Sequence, residues 1–544
     1  MAEPVRRAAL LQRLEEGLEV DLVVIGGGAT GLGVALDAAV RGLSVLLLEA
    51  GDFAQGTSSR ATKLVHGGVR YLAQGDIALV REALHERTAL LANAPHLAQR
   101  LPFIVPGYRV WEPGWYGVGL KAYDTLAGSR SLGDTRLLSR SRTLELLPGV
   151  KAEGLVGGVR YWDGQFDDAR LAVLLARTAA ARGALVLNHA RVTGLLQEAG
   201  QTCGVHVQPA EWAAPQGGAA APGRSAVVRA RCVVNAAGVW VDALRQMDAA
   251  GGAMAQQPMV APSQGVHLVV DRRFLPGGHA LMVPRTEDGR VLFAVPWLGK
   301  TVLGTTDTPR PDVVAEPRPF REEVDFILRE AARYLRQAPQ RSDVRSAWVG
   351  LRPLVKPVGG AADTKRVSRE HTVVVSNSGL VTVTGGKWTT YRAMAEDVLE
   401  RCILAGRLPR RPTGMTERLA LLGAAAGQPL SAPPGLHLYG SEAAAVQALP
   451  GADHVLWRDA ETGQAALLES MVRFAVREEM ALSVEDILAR RCRVLFVDAQ
   501  AAEDLADPVA AILADECRRQ GWPFDAEASA ASFKALARSY RQLP

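Results

Sequence analysis

Apolar residues along the chain fall into short unbroken runs and helical repeats that alternate, which is the pattern of an α/β protein. The run 20–25 (VDLVVI) predicts a buried strand, the turn 26–31 (GGGATG) follows it, and LGVALDAAVRG then has helical spacing. A second buried strand is predicted at 44–49 (SVLLLE). Unbroken apolar strands joined by a helix are typical of a parallel sheet that is covered on both faces.

The same alternation continues through the chain. A helix is predicted at 168–182, and a strand, a glycine turn and a helix at 232–244. Two strands, a Gly-Gly turn and a helix are predicted at 371–402. Residues 266–310 alternate short strands with turns, which predicts a second, antiparallel sheet. The spacing becomes helical from about residue 430, so we expect a small helical domain at the C-terminus.

Two peripheral segments complete this pattern. Near the N-terminus, one helical face carries four leucines, and we expect a short helix that packs on the body: Leu10, Leu11, Leu14 and Leu18. The segment 208–225, rich in Ala, Gly and Pro, predicts a surface loop between strands. No stretch is apolar and long enough to span a bilayer, so any membrane contact is expected to be peripheral.

Charge is distributed unevenly along the 544 residues, whose net charge is +5. Residues 411–544 hold 13 basic and 18 acidic side chains, whereas residues 1–410 hold 49 and 39. A basic body suits an anionic ligand or an anionic membrane surface. Basic stripes interleaved with aromatic residues are absent, so nucleic acid is not an expected partner. Five cysteines without a CxxC pair indicate reduced thiols in a cytosolic compartment and no metal site.

The first motif with chemical meaning is Gly26-x-Gly28-x-x-Gly31. Its glycines permit a tight turn and a close approach of the backbone to a pyrophosphate, and the following helix presents its N–H groups to the anion, Ala29 and Thr30 included. Glu49 ends the next strand, where its carboxylate can accept a ribose hydroxyl. The motif therefore predicts dinucleotide binding, without separating FAD from NAD.

Two later turns favour FAD. Asn235-Ala236-Ala237-Gly238 and Thr384-Gly385-Gly386-Lys387 each end a predicted strand and open a helix. A flavin dinucleotide is long and needs backbone contacts beyond its first half, so several separated glycine turns fit it better. A nicotinamide enzyme would often carry a second complete fingerprint, and the sequence has none.

With these motifs in view, the sequence resembles the aerobic, membrane-associated FAD-dependent glycerol-3-phosphate dehydrogenases, in the flavoprotein group that includes D-amino-acid oxidases. The resemblance rests on blocks in order along nearly the whole chain, among them TSSRATKLVHGGVRYL, VVNAAGVWVD, SQGVHLVV, VLGTTDTP, GLRPL, GGKWTTYR and SVEDILARRCRVLF. It is weakest over 100–160 and 208–225. It implies a discontinuous Rossmann-like FAD-binding domain, an antiparallel-sheet substrate domain and a C-terminal helical domain.

The resemblance also implies domain boundaries and cofactor contacts. The FAD-binding domain is expected at 1–80, 150–245 and 345–405, the substrate domain at 81–149 and 246–344, and the helical domain at 406–544. Beyond the residues already named in the fingerprint, the expected FAD contacts are Glu49, Thr57, Ser58, His66, Gly67, Gly68, Ala237, Gly238, Gly385, Gly386, Lys387, Trp388 and Thr389. The Gly67-Gly68 bend is expected to let the backbone lie close to the isoalloxazine ring.

Glycerol 3-phosphate carries a dianionic phosphate, and bidentate arginines suit phosphate well. The expected substrate contacts are Arg70, Tyr71, Arg352 and Lys387. A single Arg beside a turn is more often a solvated or paired side chain, but three cations in three glycine- or proline-bounded motifs favour binding. Tyr71 can equally be a packed aromatic, and His66 is more readily a structural hydrogen-bonding residue near the flavin.

Oxidation of the alcohol needs a proton acceptor as well as a hydride acceptor. His267 is either a hydrogen-bonded histidine of the sheet or the catalytic base. Arginine is a poor base, so His267 is preferred as the acceptor, with Arg352 stabilising the developing alkoxide or binding the phosphate.

The resemblance suggests a membrane quinone as electron acceptor and a place on the inner face of the cytoplasmic membrane. Oxygen is the nearest alternative acceptor. An amine or amino-acid oxidase and a flavin-binding scaffold protein are the other hypotheses, and the three cations argue against both. A homodimer is compatible with the sequence, and the helical tail, which shows no catalytic residues, is expected to serve dimerisation or docking.

Overall fold

The computed structural model of the chain describes residues 6–68, 76–212, 224–249, 257–356 and 371–544. Arg70, Tyr71 and most of the predicted loop 208–225 lie outside these ranges.

The strands of the described residues supply two large sheets and one small one. They are β1 (Leu18–Ile25), β2 (Val45–Leu48), β3 (Leu64–Val65), β4 (Ala98–Gly107), β5 (Arg136–Ser139), β6 (Gly157–Phe166), β7 (Leu185–Leu187), β8 (Ala190–Glu198), β9 (Gln201–Pro209), β10 (Ala226–Asn235), β11 (Val260–Asp271), β12 (Ala280–Val283), β13 (Leu292–Trp297), β14 (Lys300–Gly304), β15 (Thr308–Pro309), β16 (Val344–Val355), β17 (His371–Val375), β18 (Val381–Gly385), β19 (Val455–Arg458) and β20 (Ala465–Leu468).

The helices cover the sheets and form most of the tail. They are α1 (Arg7–Glu16), α2 (Ala29–Val40), α3 (Ile77–Asn93), α4 (Glu112–Ala127), α5 (Arg140–Leu146), α6 (Asp168–Ala181), α7 (Val241–Ala249), α8 (Arg321–Tyr334), α9 (Tyr391–Leu404), α10 (Ala443–Gln447), α11 (Glu469–Glu478), α12 (Val494–Val497), α13 (Ala499–Asp504), α14 (Ala506–Gln520) and α15 (Ala526–Arg541). A π-helical turn spans Asp486–Arg491.

The first sheet has a parallel centre. Its order is β17-β18-β10-β1-β2-β7, and the pairs from β18 to β7 are parallel. Helices α2, α6 and α9 pack together on one face, and Leu10 and Leu14 of α1 pack on the other beside Val23 of β1. Because β1 is covered on both faces, Leu22, Val23 and Val24 are fully buried, which explains the unbroken apolar run in the sequence.

The second sheet is antiparallel at nearly every pair. Its order is β15-β11-β14-β13-β12-β4-β6-β3, with β16 on β11 and β5 on β6. The exception is the parallel pair of β12 and β4. Strands β6 (Gly157–Phe166) and β16 (Val344–Val355) lie in segments that were expected to belong to the FAD-binding domain, yet both pair in this sheet.

The prediction that Leu18 continues the N-terminal helix is wrong. Helix α1 ends at Glu16, Gly17 follows with φ +93°, and Leu18 opens β1 opposite Val228 of β10. The left-handed φ at Gly17 reverses the chain at no steric cost and turns the leucine into the sheet. None of the helices in the described ranges has the length and hydropathy needed to cross a membrane.

Candidate active site

Three glycine turns meet at one edge of the first sheet. The strands β18, β10 and β1 are neighbours and run parallel, and they end at Gly385, Asn235 and Ile25. Because the carboxyl ends of parallel strands lie at the same edge, the turns that follow them lie side by side. The structure therefore brings together Gly26–Gly31, Ala237-Gly238 and Gly385-Gly386, three segments that are far apart in sequence.

Side chains are excluded from the first turn by the packing of backbone on backbone. Gly26 has φ +112°, and a Cβ there would lie 2.6 Å from the carbonyl oxygen of Ala236. A Cβ on Gly31 would lie 1.9 Å from the carbonyl oxygen of Gly26. Contacts this short require glycine, which lets the helix begin directly against the strand.

The N-terminus of α2 is suited to an anion. Its N-cap is Gly28, which provides no side-chain cap, and the helix begins at Ala29 and Thr30. The N–H of Ala29 donates to Oγ of Ser58 at 3.0 Å, so Ser58 lies at the same helix end. The N–H groups that follow Ala29 and the positive end of the helix dipole favour a phosphate at this position.

Glu49 lies at the adjacent strand end. Its carboxylate accepts hydrogen bonds from the N–H groups of Gly27 at 2.7 Å and Gly51 at 2.8 Å. Burial raises the pKa of Glu49, while these two N–H groups lower it. A fixed carboxylate beside the glycine turn has the chemistry that a ribose hydroxyl needs.

The segment 57–58 joins the turns to the second sheet. Oγ1 of Thr57 donates to the carbonyl oxygen of Leu351 at 2.6 Å, and Nε1 of Trp388 donates to the carbonyl oxygen of Ser58 at 2.7 Å. Leu351 precedes Arg352, and Trp388 follows Lys387. The segments that carry Arg352 and Lys387 are thus hydrogen-bonded to Thr57 and Ser58, which are neighbours in one short turn.

The predicted bend at 66–68 is held from two sides. Oγ1 of Thr389 donates to the carbonyl oxygen of His66 at 3.4 Å, and the N–H of Gly67 donates to Asp163 at 3.3 Å. A Cβ on Gly67 would lie 2.2 Å from the Tyr123 hydroxyl, and Gly68 has φ +80°. Both positions therefore require glycine: a side chain at position 67 would clash with Tyr123, and Gly68 has a left-handed φ.

Arg352 lies half-buried over the second sheet. Its strand β16 pairs with β11 so that Arg352 is opposite Ser263. Its Nη1 contacts Oδ1 of Asp307 at 3.2 Å, and its Nη2 donates to the carbonyl oxygen of Thr306 at 3.0 Å. A Cβ on Gly265 would lie 2.2 Å from Nη2, so only glycine leaves room for the guanidinium above it.

His267 lies on the same sheet face as Arg352, because residues two apart along a strand share a face. It is buried, its ring stacks on Trp348 with centroids 5.3 Å apart, and Nε2 lies 2.9 Å from Oγ1 of Thr62. Burial, with smaller contributions from Lys63 and Arg352, holds the pKa of His267 well below its usual value. The imidazole is therefore neutral near pH 7, and one ring nitrogen can accept a hydrogen bond from Thr62.

Lys63 was not singled out in the sequence, although the structure places it in the wall of the site. Its ammonium is fully buried, contacts Asp168 at 2.7 Å, and lies about 5 Å from the rings of Trp297 and Trp348. Burial lowers its pKa to about 7 although Asp168 raises it. Its position within the block TSSRATKLVHGG was the available signal; its partner lies 105 residues away.

Buried arginines of the C-terminal tail contact the segment after Glu49, at the edge of the first sheet that carries the glycine turns. Arg490 and Arg491 both pair with Asp52, and Arg490 also pairs with Asp486 at 2.9 Å. Asp52, His189 and Asp486 are close enough to one another to resemble a metal site. Their carboxylates already bind the guanidinium groups, so we interpret the cluster as an ion-pair network that fastens the tail to the segment after Glu49.

Comparison with known proteins fits this geometry. A family model described as "FAD dependent oxidoreductase" matches residues 21–392, and one described as "C-terminal domain of alpha-glycerophosphate oxidase" matches residues 415–522. The class that the fold and the site define is therefore the FAD-dependent oxidoreductases.

Relatives narrow the assignment. The mitochondrial glycerol-3-phosphate dehydrogenase of Homo sapiens is 40% identical, covering 94% of this chain and 73% of its own length; that of Arabidopsis thaliana is 41% identical, covering 91% and 83%. The X-ray structure of the glycerol-3-phosphate dehydrogenase from Bacillus halodurans complexed with FAD is 30% identical, with a TM-score of 0.72 over 96% of this chain and 95% of that one. The chain belongs to the FAD-dependent glycerol-3-phosphate dehydrogenase family.

These findings confirm the predicted family, the α/β fold class with its C-terminal helical domain, and FAD as the cofactor.

Proposed function

We propose that the chain oxidises sn-glycerol 3-phosphate to dihydroxyacetone phosphate. The observation that carries the proposal is the pair of hydrogen bonds from Thr57 to Leu351 and from Trp388 to Ser58, which gathers the Arg352 and Lys387 segments at the flavin-binding turns. The substrate class comes from the related proteins, which are named as glycerol-3-phosphate dehydrogenases.

The cofactor contacts remain as predicted from the sequence. The fingerprint turn and the N-terminus of α2 bind the pyrophosphate, Glu49 accepts from the ribose, and the turns at Gly238 and Gly385-Gly386 approach the rest of FAD. When bound, FAD supplies the acceptor for the hydride on C2. The close backbone packing at Gly26 and Gly31 supports this fit.

The substrate contacts are Arg352 and Lys387, with Arg70 and Tyr71 completing the set. Arg352 offers a planar fork of donors that suits a phosphate or the developing alkoxide. Asp307 contacts the same guanidinium at 3.2 Å and so fixes its orientation. We assign Asp307 as a positioning residue.

His267 acts as the proton acceptor in this proposal. Its depressed pKa keeps the imidazole in the basic form, and its burial separates it from bulk water. The half-buried Thr62 hydroxyl, 2.9 Å from Nε2, is the group through which the proton of the substrate hydroxyl reaches the ring. In the tautomer that leaves Nε2 unprotonated, the Thr62 hydroxyl donates its proton to Nε2 and accepts the proton of the substrate hydroxyl in its place.

The remaining assignments concern partners. Electrons pass to a membrane quinone, with oxygen as the alternative acceptor, and the protein lies peripherally on the inner face of the cytoplasmic membrane. A homodimer is part of the same proposal. The basic body supports contact with an anionic surface.

The test is anaerobic addition of substrate to the yellow holoprotein. Glycerol 3-phosphate is expected to bleach the flavin absorbance, whereas glycerol and amino acids leave it unchanged. Bleaching by an amino acid would instead assign an amino-acid oxidase, and no bleaching by any of them would assign a scaffold. Reoxidation by a quinone analogue compared with air then distinguishes the two acceptors.

A further inference from the structure

Helix α4 (Glu112–Ala127) has two apolar faces. One face is internal, where Tyr123 and Ala127 pack against Val80 and Leu84 of α3. The opposite face carries Trp111, Trp115 and Val118 at spacings of four and three, and they are 57%, 71% and 73% exposed. Residues at these spacings share one side of a helix, so the outer face is a continuous apolar stripe.

The stripe continues beyond the helix. Val110 precedes it, and Leu137 of β5 lies against it, since a Cβ on Gly117 would be 2.9 Å from Cδ2 of Leu137. We name these side chains the α4 patch: Val110, Trp111, Trp115, Val118 and Leu137. The four most exposed large apolar side chains among the described residues all belong to this patch. Such a concentration marks an interaction surface rather than scattered surface residues.

Basic side chains outnumber acidic ones on the segment that carries the α4 patch. Residues 109–142 hold six basic and three acidic side chains, and the six basic ones are all exposed: Arg109, Lys121, Arg130, Arg136, Arg140 and Arg142. Three of the six pair with acidic side chains: Arg109 with the half-buried Glu112, Arg136 with Asp134, and Arg142 with Glu145 just beyond this segment. Pairs of this kind at the surface contribute little. An apolar stripe with tryptophans inside a basic rim matches a lipid surface that carries anionic headgroups.

We propose that the α4 patch is the surface on which this protein docks to an anionic lipid bilayer. The proposal deepens the proposed function, because a quinone acceptor would lie in that bilayer. Trp111 and Trp115 enter the headgroup boundary, and the rim arginines bind the phosphates of the lipids.

The same helix contacts the flavin-binding bend from its inner face. The Tyr123 hydroxyl donates to Asp163 at 3.2 Å, and Asp163 accepts from the N–H of Gly67 at 3.3 Å. Helix α4 and one layer of side chains therefore lie between the docking face and the Gly67-Gly68 bend. Docking through α4 places the bilayer next to the part of the site where we expect the isoalloxazine ring.

Co-sedimentation of the full-length holoprotein with lipid vesicles tests the proposal. Vesicles of phosphatidylcholine containing phosphatidylglycerol are expected to bind the wild type, and vesicles of phosphatidylcholine alone to bind it weakly. The variant Trp111→Ser/Trp115→Ser should bind the anionic vesicles at least about tenfold less, since each side chain loses its apolar transfer energy. Arg136→Gln/Arg140→Gln should lower binding by about fivefold per cation and flatten its salt dependence.

The matched control is Leu404→Ser/Met415→Ser, which removes two exposed apolar side chains outside the patch and should bind like the wild type. Wild-type binding by the tryptophan variant, or equal loss in the control, overturns the proposal. So does a wild type that ignores anionic vesicles, or a dimer that the tryptophan substitutions convert to a monomer, which would make the patch a contact between copies. Flavin bleaching by glycerol 3-phosphate in solution is measured in parallel, so that failure of the proposed substrate is seen separately.

Discussion

At the scale of single residues, the chemistry depends on side chains whose surroundings leave them one protonation state. His267 is enclosed by Trp348, Thr62 and the backbone of Gly304, so it has little access to water. Arg352 differs from His267 in charge, because its guanidinium stays charged at any working pH. A neutral acceptor and a permanent cation on one sheet face suit removal of a hydroxyl proton.

The pH dependence of flavin reduction follows from this arrangement. The neutral imidazole is the active form, and its folded pKa lies below the ordinary value of about 6.5. We therefore expect the rate constant to stay level from about pH 8 to 6.5 and to fall only at lower pH. Anaerobic stopped-flow bleaching measures it. A fall centred near neutrality would contradict the assignment of His267 and point instead to Lys63, whose pKa is about 7.

Replacement of His267 by Ala should slow flavin reduction by about 10²–10⁴-fold. Thr62→Val should also slow it, because the variant removes the hydroxyl beside Nε2. His206→Ala in β9 is the control, since His206 belongs to the other sheet. Wild-type reduction by either the His267 or the Thr62 variant would remove that residue from the proton path.

Arg352→Ala should lower kcat/KM for glycerol 3-phosphate by about 10²–10³-fold, which is typical for loss of one charged donor at a reacting centre. Arg352→Lys should recover only part of this, because an ammonium lacks the planar fork. Arg345→Ala, on the same strand but exposed and paired with Asp271, is the control and should be active. Equal activity of the Arg352 and Arg345 variants would exclude a substrate contact by Arg352.

Gly31→Ala should yield protein without bound FAD. The added Cβ would lie 1.9 Å from the carbonyl oxygen of Gly26, so the turn or the helix must move. Gly278→Ala, where a Cβ meets nothing within 4 Å, should retain the cofactor. The ratio of flavin to protein absorbance measures both. A Gly31 variant as yellow as the wild type would mean that the turn tolerates the displacement.

At the scale of elements, what could be predicted depended on how local its cause was. The strand β1, the turn 26–31 and helix α2 adjoin in the sequence, so spacing and composition were sufficient to predict them. The turns at Gly238 and Gly385 were predicted one by one, and only the sheet order shows that they adjoin. Arg490 pairs with Asp52 across 438 residues, and no local pattern indicates such a partner.

The tail also contacts the site, in addition to the dimerisation or docking expected from the sequence. Its π-helical turn (Asp486–Arg491) carries two arginines to Asp52, and Arg493 reaches Asp168 at 2.9 Å. Asp168 also holds Lys63, and Asp52 lies three residues beyond Glu49. The tail thus supports both Asp52, in the segment after Glu49, and Asp168, which holds Lys63 in the wall of the site.

Arg491→Ala should destabilise the protein by about 1.5–3 kcal/mol, because it removes charged hydrogen bonds to the buried Asp52 while Arg490 remains as its second cation. Lys534→Ala breaks a pair with Asp507 that is exposed, and should cost about 0–1 kcal/mol. Thermal unfolding of the two holoproteins compares them. Equal melting temperatures would mean that Arg490 alone neutralises Asp52.

At the scale of the whole molecule, the described residues share one continuous apolar core between the first sheet and the tail. The same cluster contains Leu22 and Val24 of β1 and Phe533 and Tyr540 of α15. Because the tail and the cofactor-binding edge share one apolar core, we expect them to unfold as one cooperative unit. We expect FAD release and loss of helical circular dichroism to have the same midpoint on heating. An earlier transition without FAD release would show that the tail melts alone.

The order in which the first sheet is assembled has a consequence for biosynthesis. Its adjacent strands β1, β10 and β18 leave the ribosome far apart in time, and the cationic partners of Asp52 emerge later still, at Arg490 and Arg491. A nascent chain that has completed β1 and its glycine turn still lacks β10, the strand that pairs with one side of β1 in the folded protein. Long-range pairing of this kind is slow and leaves apolar surface open meanwhile. The edge that carries the three glycine turns is therefore complete only after β18 has been translated, so we expect flavin capture late in synthesis.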